Sequence, residues 1–458
     1  MLLFFLFICS LDVHRGAESC KETIFFSYLR SLTAEKMNLP AEFAARTRAL
    51  LGAVEYDKLI AALGEEAPVS IRLNPWKQQH IAPILDKQEF ASVPWCGDGY
   101  YLPSRFTFTF DPLFHAGCYY VQEASSMFLE QALTQYVSRP VVALDLCAAP
   151  GGKSTHIRTL LPEGSLLVAN EVIRNRSQVL AENLIKWGHP DVMATNNDPA
   201  HFSNLEHFFD VIVTDVPCSG EGMFRKDPGA ISEWSTENVE ICWQRQRRII
   251  VDVWPSLKPG GLLVYSTCTY NTQENEENIA WIMSELGAQP LSVTIPEAWN
   301  VTGNLLEADF PVYRFLPHKT KGEGFFLAVL RKEGEAEADR PAHCEALVRK
   351  HLRVIKDAGI EQGTQKGKDL IPSHAQAMSL LPCSDNYPIY SLTYEQAIAY
   401  LRREAIVLDP SAPRGYLLVA YRNIPLGFVK NIGNRANNLY PQEWRIRSGY
   451  LPEEVRTV

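Results

Sequence analysis

The sequence opens without an apolar run long enough to span a bilayer. Its first stretch, Leu2 to Cys9, is eight residues with no Lys or Arg ahead of it, so neither a transmembrane helix nor an ordinary secretory leader is expected there. Met37-Asn38-Leu39-Pro40 opens a plausible helix, and the native start is expected at Met37, with residues 1–36 a non-native leader. Closely spaced cysteines are missing too. The ten cysteines come no nearer than Cys9 and Cys20, which excludes a Cys-x-x-Cys zinc or redox motif, leaves no metal site in view and suits reduced thiols in a cytoplasmic setting. Nor is there an excess of positive charge. Lys and Arg number 44 against 53 Asp and Glu, a net of −9, so a polyanion would have to be held by a local basic surface. Gly and Pro, at 27 and 29 in 458 residues, are not enriched and no internal repeat is evident, which removes collagen-like, disordered and coiled-coil readings. What is present is an ordinary globular balance, 46% hydrophobic and 21% charged, over a length that suits two to four domains.

Residues 37–135 read as a small N-terminal α/β domain. A helical start leads to Ser70-Ile71-Arg72-Leu73-Asn74-Pro75, and Phe106, Phe108 and Phe110 alternate with Thr107 and Thr109 at the strand period, rings better suited to core packing than to base stacking. Over 136–332 short apolar strands alternate with helical stretches, the pattern of a parallel sheet covered on both faces. Strands are expected at Val141 to Leu146, Leu166 to Asn170, Val211 to Thr214, Leu262 to Ser266 and Phe325 to Leu330. Leu180, Leu184 and Trp187 share one helix face; Ile279, Ile282, Met283 and Leu286 share another, behind an Asn271-x-x-Glu274 cap signal. The fold class is therefore α/β with a doubly wound, Rossmann-like core. Seven of the ten residues from Arg331 to Arg340 are charged, and 333–388 reads as a connecting region with a helix near Ala346 to Lys356. Residues 389–458 form a last unit, basic in an acidic chain, where strand-like Tyr416 to Tyr421 and Gly427-Phe428-Val429 suggest a small β-rich module.

In open parallel sheets a ligand lies beyond the carboxyl ends of the strands, where strand order reverses. The first strand here is followed by Cys147-Ala148-Ala149-Pro150-Gly151-Gly152-Lys153-Ser154-Thr155. Paired glycines let backbone approach a ligand, and the helix N-terminus behind them offers N–H groups to a carboxylate or phosphate. Two ligands fit that description. Gly152-Lys153-Ser154 matches the end of a P-loop, but the glycine needed five residues before Gly152 is Cys147, so a nucleoside triphosphate is disfavoured. An adenosine cofactor without a diphosphate needs a carboxylate at the end of the second strand for its ribose, and Glu171 lies nineteen residues after Gly152. Two more strand ends carry thiols, in Asp215-Val216-Pro217-Cys218-Ser219-Gly220-Glu221-Gly222 and in Thr267-Cys268-Thr269-Tyr270. One such cysteine is ordinarily a buried structural residue; two at neighbouring strand ends, one beside a carboxylate, point to thiol chemistry.

These blocks resemble the Sun-type RNA cytosine-5 methyltransferases, and among them the bacterial RsmF branch. The likeness is also carried by Tyr119-Tyr120-Val121-Gln122-Glu123-Ala124-Ser125-Ser126-Met127, Phe224-Arg225-Lys226-Asp227-Pro228, Pro317-His318 and Gly324-Phe325-Phe326. The end of the chain resembles a PUA-like module through Gly427 to Arg435 and Leu439-Tyr440-Pro441. The resemblance implies a core at 136–332 that takes S-adenosyl-L-methionine, an N-terminal RNA-binding domain at 37–135 and a PUA-like RNA-binding domain at 389–458. It implies Cys268 as the nucleophile that adds to cytosine C6, Cys218 as the helper in proton removal and release, and Asp215 as a catalytic carboxylate. DNA cytosine methyltransferases use a cysteine in a Pro-Cys context like Cys218, and spacing alone does not divide the roles. For the cofactor it implies the loop Cys147, Ala148, Ala149, Pro150, Gly151, Gly152 and Lys153, with Asp198 against the adenine and Asp215 near the methionine end. Asp198 also suits a plain turn, since Asn196-Asn197-Asp198-Pro199 has turn composition. Candidate RNA contacts are Arg225 and Lys226 beside the Cys218 block, and Arg422, Lys430 and Arg435 among Tyr421, Phe428 and Tyr440 in the tail.

The chemistry is intelligible on its own terms. C5 of cytosine is a poor nucleophile until a thiolate adds to C6; a carboxylate can steady the adduct, and a base must take the C5 proton before the thiol leaves. A free thiol of pKa about 8.5 is only a few per cent thiolate at neutral pH, so full activation of the nucleophile gains roughly 2 kcal/mol. The expected substrate is 16S rRNA, with tRNA as the alternative. A non-catalytic RNA-binding assembly factor is disfavoured because both thiols, Asp215 and the cofactor loop are intact. RNA is the expected partner, with no membrane and no obligate protein partner.

Overall fold

A computed structural model describes residues 38–77, 90–335, 343–381, 386–449, 455 and 458, so the expected start at Met37 lies outside the described residues. Helix α1 (Ala41–Leu63) is entered through Pro40 and broken at Gly52, whose φ of 78° is left-handed. Its Phe43 is buried against Phe224 and Trp234, ring centroids 4.9 and 5.7 Å away, which fixes α1 to the loop that follows Cys218. An antiparallel sheet follows in the order β2 (Ala91–Ser92), β3 (Gly99–Leu102), β1 (Val69–Leu73), β4 (Tyr119–Val121). The strand expected around Phe108 does not form. Phe108–Phe110 is a 3-10 turn, because both rings turn into one core with Leu113 and Tyr119, and Asp111 caps the next turn by accepting the Leu113 N–H at 2.9 Å.

The central sheet has the order β10 (Ala288–Leu291), β12 (Phe325–Lys332), β9 (Leu257–Thr267), β8 (Phe209–Asp215), β5 (Val142–Asp145), β6 (Leu166–Asn170), β7 (Val192–Thr195), β13 (Val354–Lys356), with β11 (Tyr313–Phe315) beside β12. Strands β5 to β9 are parallel, and β10, β12 and β13 run against their neighbours. The first strand, β5, pairs with both β6 and β8, so strand order reverses there and the crevice opens beyond Asp145 and Asp215. Consecutive residues go to opposite faces: Ala143, Leu167, Val211 and Val264 join one core, Leu144, Val168, Ile212 and Tyr265 the other. Each fully buried Val or Leu is worth about 1.5–3 kcal/mol, which is why these strands read as unbroken apolar runs. The faces are covered by α2 (Gly152–Leu160), α3 (Arg174–Trp187), α4 (Thr236–Val253) and α5 (Glu276–Leu286), among others.

Two expectations are corrected beyond β12. The helix near Ala346 to Lys356 is shorter, α6 (Cys344–His351), and Val354–Lys356 adds an edge strand to the central sheet instead of lying in a surface connection. Lys356 is half-buried there and donates to the Val192 carbonyl at 2.8 Å, so a charged residue marked a position that packs against the sheet edge. After the hairpin of β14 (Thr364–Lys366) and β15 (Asp369–Ile371), the last unit is a sheet of β16 (Ile389–Ser391), β17 (Gly415–Tyr421), β18 (Ile424–Asn431) and β19 (Ala436–Asn438). Leu417, Val419 and Tyr440 of this unit share a core with Ile71 and Phe108 of the N-terminal sheet.

Arg72 on β1 ties that sheet to the central domain. Its guanidinium donates to Gln122 Oε1 at 2.9 Å and to Thr155 Oγ1 at 2.6 Å, and stacks 4.5 Å from the Trp187 ring. Arg72→Leu is expected to lower the unfolding free energy by about 2–4 kcal/mol, since Gln122 and Thr155 lose their partner in a buried place. The check is the denaturant midpoint; a midpoint equal to that of the parent protein contradicts it.

Candidate active site

Every group singled out for chemistry lies just past the carboxyl end of a parallel strand. After β5, residues 146–151 turn back so that Gly151, at φ 116°, stands at the N-cap of α2. The first-turn N–H groups of α2 have no acceptor within the helix. A Cβ on Gly152 would stand 3.2 Å from the Tyr120 ring, so this position is small because β4 closes over it. Cys147, Ala148, Ala149, Pro150, Gly152 and Lys153 line an open cleft of about 150 Å³ with Tyr120, Glu123 and Asp215. On the far side, Glu171 at the end of β6 is buried, accepts the Ile173 N–H at 2.9 Å and lies 3.4 Å from Arg176 Nη1. Asp198, half-buried after β7, accepts the Ala200 N–H at 3.1 Å and starts a 3-10 turn. Asn196 donates to the Glu171 carbonyl at 2.8 Å and so binds the two strand ends together.

Beneath the cleft, Asp145 is buried; Ser154 Oγ donates to its Oδ2 at 2.6 Å, while Oδ1 has no hydrogen-bond partner among the described residues. Burial pushes its carboxyl up to about 7, against the Ser154 hydrogen bond. Its folded pKa lies above the unfolded value near 3.9, so between about pH 4 and 7 the folded chain holds a proton that the unfolded chain has lost. Stability from this group therefore falls as pH rises across that window. Asp145→Asn is expected to flatten this part of the pH–stability curve, measured as thermal midpoints from pH 4 to 7; an unchanged slope contradicts it.

Asp215 ends β8, accepting from Lys153 Nζ at 2.9 Å on one oxygen and from Ser266 Oγ at 3.0 Å on the other. Burial works against the charge of Lys153, but the neighbouring acidic groups, Asp215 foremost, together outweigh it and the ammonium is held above its ordinary pKa. Three residues past Asp215 and two past Ser266 come the thiols. Cys218 Sγ and Cys268 Sγ are 3.2 Å apart, and the Cys268 N–H donates to Cys218 Sγ at 3.4 Å. The hydrogen bond to the Cys268 sulfur, then burial, pushes the Cys218 thiol well up. The two thiol loops touch along their backbones: the Gly222 N–H donates to the Cys268 carbonyl at 2.8 Å, and a Cβ on Gly222 would stand 2.7 Å from that oxygen. Two acids buried between the loops, Glu221 and Glu274, escaped the sequence reading as functional residues. The Asn271-x-x-Glu274 signal does form a turn, with the Glu274 N–H donating to Asn271 Oδ1 at 2.9 Å, but α5 begins later, at Glu276.

The candidate RNA contacts divide. Arg225 is a correction: its side chain is buried on Glu323, 3.0 Å from Nε to Oε2, and also donates to the Gly322 carbonyl at 2.6 Å, so it is an internal tie. Lys226 reaches the same Glu323 at 3.5 Å but keeps about a third of its side chain exposed. Arg422 and Arg435 are exposed, and Lys430 is exposed in part and ion-paired with Asp369 at 2.5 Å. Phe428 and Tyr440, expected among exposed aromatics, are buried, because β18 turns Phe428 onto Met378 and Leu418.

The description "16S rRNA methyltransferase RsmB/F" matches residues 138–331, "N-terminal domain of 16S rRNA methyltransferase RsmF" matches 39–124, and "Methyltransferase RsmF PUA domain" matches 387–446. The chain is 30% identical to ribosomal RNA small subunit methyltransferase F of Serratia proteamaculans, covering 90% of this chain and 98% of that protein. It is 29% identical to the protein of the same description from Pectobacterium atrosepticum, over 89% and 96%. Among solved structures, a methyltransferase homologue from Pyrococcus horikoshii superposes with a TM-score of 0.57 at 28% identity, covering 66% of this chain and 97% of that one.

Proposed function

The chain belongs to the family of ribosomal RNA small subunit methyltransferase F, and from that premise we propose that it methylates C5 of a cytosine in 16S rRNA through a covalent adduct at C6. One observation carries the finer part of this reading: two sulfurs 3.2 Å apart at neighbouring strand ends, next to a carboxylate that faces the cleft. A methyltransferase acting on an oxygen or an exocyclic nitrogen has no use for such a pair, whereas C5 chemistry needs one thiol to add to C6 and a second group to help undo the addition.

S-adenosyl-L-methionine supplies an electrophilic methyl group when bound. The residues present fit it: Gly152 and Lys153 line the cleft at the N-terminus of α2, Glu171 and Asp198 would offer carboxylates to ribose and adenine, and Lys153 and Asp215 would serve the methionine end. Cys268 is the nucleophile. Its partner Cys218, 3.2 Å away, is the thiol pushed well up, so at neutral pH Cys218 holds its proton. Asp215, fixed by Lys153 and Ser266, is set to accept hydrogen bonds from the cytosine amino group and N3 in the adduct. RNA is held by the PUA unit, with Arg422 and Arg435 among its exposed cations, and the reducing cytoplasm keeps the thiols free.

The test uses purified protein, labelled S-adenosyl-L-methionine and 16S rRNA, free or within the small subunit, followed by bisulfite sequencing. A single new 5-methylcytosine supports the reading. Label recovered on an oxygen, an exocyclic nitrogen or only on tRNA overturns it.

A further inference from the structure

Glu221 lies three residues beyond Cys218, yet its carboxylate serves the other thiol loop. Oε2 accepts the backbone N–H groups of Tyr270 and Asn271 at 2.8 and 2.9 Å; Oε1 accepts from Trp234 Nε1 at 3.0 Å and Asn271 Nδ2 at 3.1 Å. The relation is reciprocal. Glu274, six residues beyond Cys268, takes the N–H of Ser219, next to Cys218, at 3.0 Å on Oε2. The same oxygen accepts from Gln246 Nε2 at 2.7 Å, and Oε1 accepts from Asn271 Nδ2 at 2.8 Å. Ser219 and Thr269, one residue past each thiol, join their hydroxyls at 2.9 Å.

Both acids are buried, with relative exposures of 2% and 0%, and the bonds just named all come from N–H donors. Burying a carboxylate is unfavourable unless such donors converge on it, and apolar packing between the loops would hold them together at less expense in free energy. What apolar packing lacks is direction. A carboxylate that takes two consecutive backbone N–H groups fixes where the next chain segment runs, and here that segment carries Cys268 two residues earlier. A misplacement of reacting groups by about 1 Å can cost on the order of 10²-fold in rate.

We propose that Glu221 and Glu274 are positioning residues that hold the Cys218 and Cys268 loops in register, so that release of the adduct keeps pace with its formation. This rests on the covalent reading above. Formation needs Cys268 and the cytosine, with Asp215 to steady the adduct, whereas release needs Cys218 in addition, correctly placed against an adduct already on Cys268. A loosened register therefore affects release more than formation. Glutamine is the informative replacement, since it keeps the size but turns an NH2 toward N–H donors that need an acceptor.

The experiment compares the full-length parent, Glu221→Gln and Glu274→Gln on 16S rRNA, reading kcat, KM, thermal midpoint and the fraction of protein in an SDS-resistant RNA adduct during turnover. Expected is a fall in kcat of about tenfold or more with KM for RNA within about twofold, and an adduct fraction several-fold above the parent's. An unchanged kcat, or a lower kcat tracking a lower thermal midpoint with no extra adduct, overturns the proposal. Should one variant not fold, the other carries the same expectation. RNA containing 5-fluorocytosine separates the two levels: a parent protein that forms no adduct on it removes the covalent reading and this inference together. A parent that does, alongside variants that match it throughout, removes this inference alone.

Discussion

Cys268→Ala is expected to lower methyl transfer by more than about 10⁴-fold while affinity for S-adenosyl-L-methionine stays within about twofold. The loss is this large because the neighbouring thiol is a poor substitute. Cys218 is pushed well above the usual thiol range by its hydrogen bond to Cys268 and by burial; removing Cys268 relieves the first influence and leaves the second. The cofactor cleft is lined by Tyr120, the 147–153 loop and Asp215, and Cys268 is not among its lining residues, so binding there has little reason to change. Nor is the loop expected to collapse. The carbonyl of residue 268 still accepts from Gly222, and Tyr270 and Asn271 are still held by Glu221. Methyl transfer from labelled donor and calorimetric titration with the cofactor check the two halves; turnover within about tenfold of the parent would assign the nucleophile elsewhere.

The central fold was legible because strands buried on both faces leave unbroken apolar runs between turns. Leu166–Asn170 falls where the sequence places it, and β5, β8, β9 and β12 differ from expectation only at their ends. Val192–Thr195 was missed because four residues between a turn and an Asn-rich stretch carry too little periodicity to stand out. At the site, residue types at strand ends could be read, since the topology alone takes them to one crevice. Contacts made across the sequence could not. Nothing in the local pattern around Arg225 reveals that Glu323, ninety-eight residues later, takes its guanidinium, so a cation next to the thiol block looked free for phosphate. The same holds for Phe428 and Tyr440, whose basic neighbours suggested an exposed surface while their rings packed inward. Glu221 and Glu274 were visible as letters, but a buried acid looks like an exposed one until its donors are known.

Cys218→Ala is expected to leave adduct formation largely intact and to stop its resolution, so that protein and RNA stay joined through Cys268 in SDS and turnover falls by about 10²–10⁴-fold. The outcome depends on what happens to Cys218 once Cys268 has reacted. In the free protein Cys218 is held up chiefly by its hydrogen bond to the Cys268 sulfur, then by burial, then by charge on that same sulfur. Addition to C6 converts Cys268 into a neutral thioether, which is a weak acceptor and carries no charge. The first and third of those influences then lapse together, and the Cys218 thiol becomes a stronger acid at the stage when a base is needed for the C5 proton. The coupling that keeps Cys218 protonated before addition thus weakens afterwards, while burial and the charge of Glu274 still hold the thiol up. Adduct resolution in the parent protein is accordingly expected to quicken as pH rises through the Cys218 titration, while Cys218→Ala shows a trapped adduct whose lifetime is independent of pH. Chase experiments on pre-formed adduct between pH 6 and 9 read both slopes. An adduct that resolves in Cys218→Ala at the parental rate would mean that another group takes the proton.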